Sequence, residues 1–228
     1  MKIIILLLLF STFIFGAYAQ ECMSTDYLKK DTEWEMLNYD KKGKLTGMSK
    51  QAVVNTNHSG TLSEWEIKTT IFDKKKELIH EGTSTVQCED GVYKMDMSEM
   101  MPAETLSSLE SMKVTMEGTQ IDFPTSLNQN TELEDGEMTI TGSSGFMSFT
   151  MKMRVINRKI EGVETIETEA GTFECLKISQ DTKIESKLVN KEYATITWFL
   201  PGFGAVRTES YNHKDKLMGY SELGALKN

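Results

Sequence analysis

From Met147 to Val155 the chain alternates without a break: Met147, Phe149, Met151, Met153 and Val155 fall on one side, and Ser148, Thr150, Lys152 and Arg154 on the other. Period-two alternation of this kind is written for a strand with one face buried and one in water. The same pattern recurs at Tyr93, Met95 and Met97, at Met138 and Ile140, and at Ala194, Ile196 and Trp198. Asp90-Gly91, Asp135-Gly136 and Glu161-Gly162 stand between such runs and predict turns. The expected fold class is mainly β, an antiparallel curved sheet or open barrel of the lipoprotein-carrier or lipocalin kind.

One segment departs from this period. Ser98 to Met112 contains Pro102 followed by Glu104 and spaces Leu106, Leu109 and Met112 by three residues, which predicts one short helix packed on the sheet. The polar stretch Glu117 to Asp135 is expected to be an irregular crossing from one part of the sheet to another.

Turn chemistry repeats as well. Asn38 to Ser49 and Ser210 to Ser221 are identical at six of twelve positions, and Ile71 to Leu78 keeps the same order of aromatic, Asx, lysines and leucine. The flanking residues differ, so the copies read as one turn solution used three times. Adjacent placement of the first and last copies would help to close the sheet.

The first 19 residues predict a cleavable secretory signal: Lys2, an apolar run from Ile3 to Phe15, then Ala17-Tyr18-Ala19. The apolar run is too short to span a bilayer, which needs roughly 20 residues. Glu21 before Cys22 argues against lipidation there. The expectation is therefore a leader over 1–19, one antiparallel β domain over 20–228, and a secreted or periplasmic location, not that of an integral membrane protein.

Composition narrows the chemistry. The chain has 25 basic and 34 acidic residues, a formal charge of −9, and loss of Lys2 with the leader makes it −10. Such a chain repels nucleic acid and anionic lipid head groups, so neither is an expected partner. Of the three cysteines, Cys22 and Cys88 are the candidate disulfide and Cys175 is expected in the core, although spacing alone does not fix connectivity. His58, His80 and His213 have no zinc-type spacing, and Glu132, Glu134, Asp135 and Glu137 lack the order of a calcium loop. Gly142-Ser143-Ser144-Gly145 is not a nucleophile elbow. No catalytic residue, metal site or cofactor is expected, and the chain reads as non-enzymatic.

Methionine is the most unusual component. Ten methionines fall between Met95 and Met153, and a flexible, polarizable side chain suits either an irregular core or an adaptable apolar pocket. The pocket reading makes Met95, Met97, Met147, Phe149, Met151 and Met153 the candidate lining for an apolar or lipid-like ligand. The competing reading is a structural or protein-interaction component of the envelope with no small-molecule ligand.

A family resemblance accompanies these readings. Val163-Glu164-Thr165, the run Ala170 to Ile178, Thr197-Trp198-Phe199 and Pro201 to Arg207 form a hairpin followed by an aromatic strand and glycine turn. With Cys22, Glu33-Trp34-Glu35, Tyr39 to Lys44, Cys88 to Gly91 and Lys216 to Tyr220, they resemble the TapB-like family of secreted Gram-negative envelope proteins. Leu200-Pro201 departs from the family's usual small polar or charged residue before the glycines. The resemblance implies a curved antiparallel sheet or open barrel, similar in outline to periplasmic lipoprotein carriers, and carries over no catalytic residue.

Overall fold

The computed structural model describes residues 27–228 except 102, 111, 119, 125–131, 145–146 and 188–189. Thirteen strands follow in chain order. They are β1 (Glu33–Asp40), β2 (Leu45–Ser59), β3 (Leu62–Asp73), β4 (Leu78–Glu89), β5 (Val92–Met95), β6 (Lys113–Gly118) and β7 (Ile121–Pro124), then β8 (Gly136–Ser144), β9 (Met147–Thr168), β10 (Gly171–Ser186), β11 (Asn190–Leu200), β12 (Gly204–Tyr211) and β13 (Leu217–Lys227). A 3-10 turn, Met97–Met100, and one short helix, α1 (Ala103–Glu110), stand between β5 and β6. All strands join one antiparallel sheet in the order β6-β8-β9-β10-β11-β12-β13-β1-β2-β3-β4-β5-β7. Its first and last chain segments, β1 and β13, pair in the middle.

Most of this order follows from adjacency along the chain, because every strand from β1 to β4 and from β8 to β12 pairs with its successor. The single helix was expected over Ser98 to Met112; here Met101 and residue 102, which lies outside the described residues, divide it into the 3-10 turn and α1. Leu109 is buried and Leu106 packs on the core. Glu117 to Asp135 is not wholly irregular, since it contains the end of β6 and all of β7. It does cross the sheet, because these strands occupy opposite edges. Only residues 119 and 120 lie between them, so at that corner the edges are within roughly 10 Å of each other. The sheet therefore curls almost completely round without hydrogen-bonding shut.

Arg158 spans the remaining gap. This residue of β9 is 2% exposed; its Nη1 donates to the Glu134 carbonyl at 2.6 Å, its Nη2 to the Asp122 carbonyl of β7 at 2.7 Å, and its Nε to Gln180 Oε1 at 3.3 Å. The guanidinium lies 4.9 Å from the centre of the Phe123 ring, which stacks on Phe199 at 4.7 Å. Burial brings its pKa down to about 10, so it is charged at neutral pH. A bulge aims it. Val155 points inward, but Asn157 at φ 54° takes an extra step opposite Ser179 and Asp181, after which Arg158 and Ile160, rather than 157 and 159, face the core.

The Glu161-Gly162 pair does not end a strand. β9 runs through it for 22 residues, with Gly162 at φ 155° beside a second register shift. Beyond β11 the β9–β10 hairpin pairs only with itself, since β11 stops opposite Leu176. In this arm Phe173 and Cys175 are buried while Thr172 and Glu174 are exposed. Burial raises the Tyr39 pKa, and the charges of Glu222 and of Glu169 at the arm's tip add to it; β9 touches β13 although three strands separate them in the sheet. The arm thus lies over the outer face of the sheet, covering Trp198 and Leu200.

The three near-repeats fold alike. Asp40, Asp73 and Asn212 each accept two backbone N–H bonds on one side-chain oxygen, from Lys42 and Lys44, from Lys75 and Glu77, and from Lys214 and Lys216. The fourth turn residue is left-handed in each: Gly43 at φ 74°, Lys76 at 67° and Asp215 at 53°. One Asx-anchored turn therefore serves three hairpins. The β1–β2 and β12–β13 tips are neighbours through the β1–β13 pairing, and Tyr39 stacks on Tyr220 at 4.8 Å between them.

Two stability measurements follow. Arg158→Met leaves two buried carbonyls without donors, and urea unfolding is expected to show a loss of about 3 kcal/mol. Lys76→Gly removes the cost of a left-handed residue with a Cβ and is expected to raise stability by about 1 kcal/mol in the same assay.

Candidate functional site

The methionine face is assembled, but as filling. Met138 stands opposite Met153, Ile140 opposite Met151 and Gly142 opposite Phe149. Met153 and Met97 are each 1% exposed, Met97 within the 3-10 turn rather than on a strand. Met95, Phe149 and Met151 are half-buried against the same core. Met147 begins β9, and its side chain lies outside the described ones. Glycines accommodate the large groups: a Cβ on Gly136 would be 2.8 Å from the Met97 sulfur, and one on Gly142 would be 2.6 Å from the Phe149 ring. These methionines occupy the seam between β5, the 3-10 turn and the β8–β9 pair, as flexible side chains do where the space to fill is irregular.

A hollow of about 280 Å³ lies across β13, β1, β2 and β3. Two cross-strand rows form it: Lys227, Glu33, Ala52 and Lys68, and beside them Ala225, Glu35, Lys50 and Thr70. The alanines are short among long charged neighbours, so the floor is low and the rim is ionic. Lys50 Nζ is 2.8 Å from Glu35 and Lys68 Nζ is 3.1 Å from Glu81. The bond from Glu35 raises the Lys50 pKa. Such a shallow charged depression suits a polar group and offers nothing to an acyl chain.

A third arrangement runs along the outer face beneath the arm. Lys177, Trp198, Arg207 and Glu222 stand in register on four adjacent strands. Trp198 Nε1 donates to Glu164 at 2.8 Å and Lys177 pairs with the same carboxylate at 2.9 Å, which together hold the Glu164 pKa below its ordinary value. The Arg207 guanidinium lies 4.6 Å from the Tyr220 ring centre and binds Glu209 at 2.8 Å and Glu222 at 2.7 Å; Tyr211 donates to Glu209 as well. Each charge in this ladder already has a partner of opposite sign; the Trp198–Glu164 bond ties the arm to the sheet, while Arg207 with Glu209 and Glu222 joins β12 to β13.

Reactive groups are placed quietly. Cys175 is fully buried, and burial pushes its thiol up to about 12, far from the thiolate that attack requires. Cys88 is disulfide-bonded and Cys175 is free; Cys22, the expected partner of Cys88, lies outside the described residues. His58 Nδ1 bonds to Ser63 at 3.0 Å, and His213 is exposed on the last hairpin tip. Among the described residues no group of three or more His, Cys, Asp or Glu side chains is placed to hold a metal ion. No helix among them is long and apolar enough to cross a membrane. Sequence reasoning missed both the hollow and the ladder, since each consists of ordinary charged residues brought together only by strand register.

The architecture has solved counterparts. A protein described as exported, with a YmcC-like fold, from Bacteroides fragilis NCTC 9343 superposes with a TM-score of 0.75 at 23% identity, covering 90% of this chain and 99% of that one. A protein described as a lipoprotein, from Parabacteroides distasonis ATCC 8503, gives a TM-score of 0.76 at 22% identity over 88% and 97% of the two chains. At these identities the likeness is one of fold, that of a large curved antiparallel sheet. No curated protein matches the chain. The DUF3108-like family matches residues 29–223, nearly all of the sheet from before β1 into β13, and the chain belongs to that family.

Proposed function

We propose that this protein is a non-enzymatic binding component of the bacterial cell envelope that works through its outer surface, with a protein partner and no small molecule in its interior. The observation that carries this reading is the burial of Met97 and Met153, each 1% exposed, in the region where an apolar ligand would have to lie. An envelope location is supported by the leader-like first 19 residues and by the two fold relatives described as an exported protein and a lipoprotein. The narrower TapB-like affiliation belongs to the same proposal, resting on the hairpin and aromatic-strand motifs. Nucleic acid has no place in it, given the acidic chain, and neither does a membrane-spanning role.

A carrier of apolar or lipid-like ligands is the second reading. It is favoured by Met95, Phe149 and Met151, which are half-buried and could repack around an inserted chain.

Native mass spectrometry and lipid extraction of protein purified from its own envelope separate the two. The expected result is a mass equal to the polypeptide alone, whereas one acyl lipid per chain would establish the carrier. Met153→Ala gives an independent check, with an expected loss of about 2–4 kcal/mol in chemical unfolding, as for truncation in a close-packed core. A near-zero change would mean that Met153 lines open space.

A further inference from the structure

The whole-chain charge conceals a polar arrangement. Neighbouring strands run in opposite directions, so the β12–β13, β1–β2 and β3–β4 turns leave the sheet at the same end, and the order β12-β13-β1-β2-β3-β4 makes them consecutive. With strands spaced by about 4.8 Å, the three tips form a row roughly 20 Å long. They carry Lys41, Lys42 and Lys44, then Lys74, Lys75 and Lys76, then Lys214 and Lys216, all exposed. Among the described residues none of these eight ammonium groups is in an ion pair. The same tips hold four carboxylates, Asp40, Asp73, Glu77 and Asp215, of which Asp40 and Asp73 are turned onto their own backbone N–H groups. This end is net positive on a chain whose total is −9. At the other end the turns Ser59 to Leu62, Glu89 to Val92 and Leu200 to Gly204 contain no lysine, and one of them carries Glu89 and Asp90.

A second observation coincides with the first. The exposed large hydrophobic side chains are Leu45, Val54, Leu78, Met116 and Met218. Three of the five, Leu45 at 39%, Leu78 at 61% and Met218 at 44% exposure, lie beside the three lysine turns, one to each: Leu45 and Leu78 follow directly on theirs, and Met218 stands one residue further along β13. Water does not favour an aliphatic side chain repeated at the exposed end of every tip. Lysine ammonium groups beside short aliphatic anchors match the boundary between anionic head groups and acyl chains, where the cations meet lipid phosphate and the aliphatic groups enter the hydrocarbon edge.

We propose that the row of three hairpin tips is a membrane-surface docking site for anionic phospholipid, holding the sheet upright on a leaflet without crossing it. The site rests on the hairpin geometry and stands or falls separately from the protein-binding reading above. Eight lysines within 20 Å act together because their separations are comparable to the screening length of about 8–10 Å in physiological salt. The protein's average charge does not decide the approach, since within a screening length the tips themselves carry eight lysines against four carboxylates.

Co-sedimentation of the purified protein with vesicles tests this. Phosphatidylcholine vesicles are compared with vesicles in which half of the lipid is phosphatidylglycerol. Binding is expected only to the anionic vesicles, and raised salt is expected to weaken it. The triple variant Lys42→Glu, Lys75→Glu and Lys214→Glu is expected to lower the partition coefficient by at least roughly tenfold. The triple variant Lys29→Glu, Lys30→Glu and Lys152→Glu makes the same change in net charge at exposed positions outside the tips and the hollow, and it is expected to retain most of the binding. Leu45→Ser with Leu78→Ser and Met218→Ser should remove the part of the binding that survives raised salt. All variants have exposed substitutions, and circular dichroism checks that they fold. Absence of binding, equal binding to both vesicle types, or equal losses from the two lysine triples would overturn the proposal. So would a finding that the tips cross-link to an acidic protein while the vesicles stay bare.

Discussion

A sheet of thirteen strands exposes two long edges unless something brings them together, and here that constraint falls on the Arg158 guanidinium. Hydrogen bonding between β6 and β7 does not close the gap. Five donors in a fixed planar fork can serve carbonyls from two segments and an amide oxygen from a third at once, which no apolar side chain can do. The low-polarity surroundings strengthen these bonds and make their loss expensive. Phe123 and Phe199 stack beneath the cation, so the same contact links the seam to the aromatic core. The positions of β7, of the residues before β8 and of the methionine-filled seam all depend on this one side chain.

The other closure lies opposite, where β1 and β13 pair. It brings distant parts of the sequence together and sets two identical Asx-anchored turns side by side, with the Tyr39–Tyr220 stack between them. Long-range pairing of this kind carries a loop entropy that local hairpins avoid. The arm formed by β9 and β10 adds a partial second layer across the same region. The Trp198–Glu164 hydrogen bond ties it to the sheet, and the partly exposed Glu164–Lys177 pair lies within the hairpin itself and is individually weak; burial of Phe173, Cys175 and Trp198 provides the larger share of the arm's attachment.

Function follows from what is filled and what is left open. The inner face is occupied by methionine, aromatic and aliphatic groups. Under the proposed reading, polar recognition falls to outward surfaces, the ionic hollow over β13, β1, β2 and β3 and the row of lysine tips. Reasoning from total charge treats those surfaces as uniformly acidic, whereas strand direction gathers eight of the lysines into three neighbouring tips. Electrostatics near a surface follows the local arrangement within a screening length, and the fold creates that arrangement.

Strand alternation, the Asp90-Gly91 turn, the short helix and the recurrence of one turn three times were legible in the sequence, because period and turn chemistry are local properties, whereas Asp135-Gly136, expected as a turn, opens β8 with no hairpin before it. The seam was not. β7 has only four residues, and its partner β5 lies far back in the chain, so Asp122-Phe123-Pro124 gave no periodic signal. The inward position of Arg158 depends on one left-handed residue, Asn157, which changes the parity of every residue after it. Glu161-Gly162 looks like a turn and is a bulge because its neighbours are paired on β10. Trp198 is buried on the outward face because the arm that carries Cys175 folds over it. Local sequence determined which segments are strands and where they turn; tertiary structure alone decided which face is covered and which charges meet, because burial and proximity are set by residues distant along the chain.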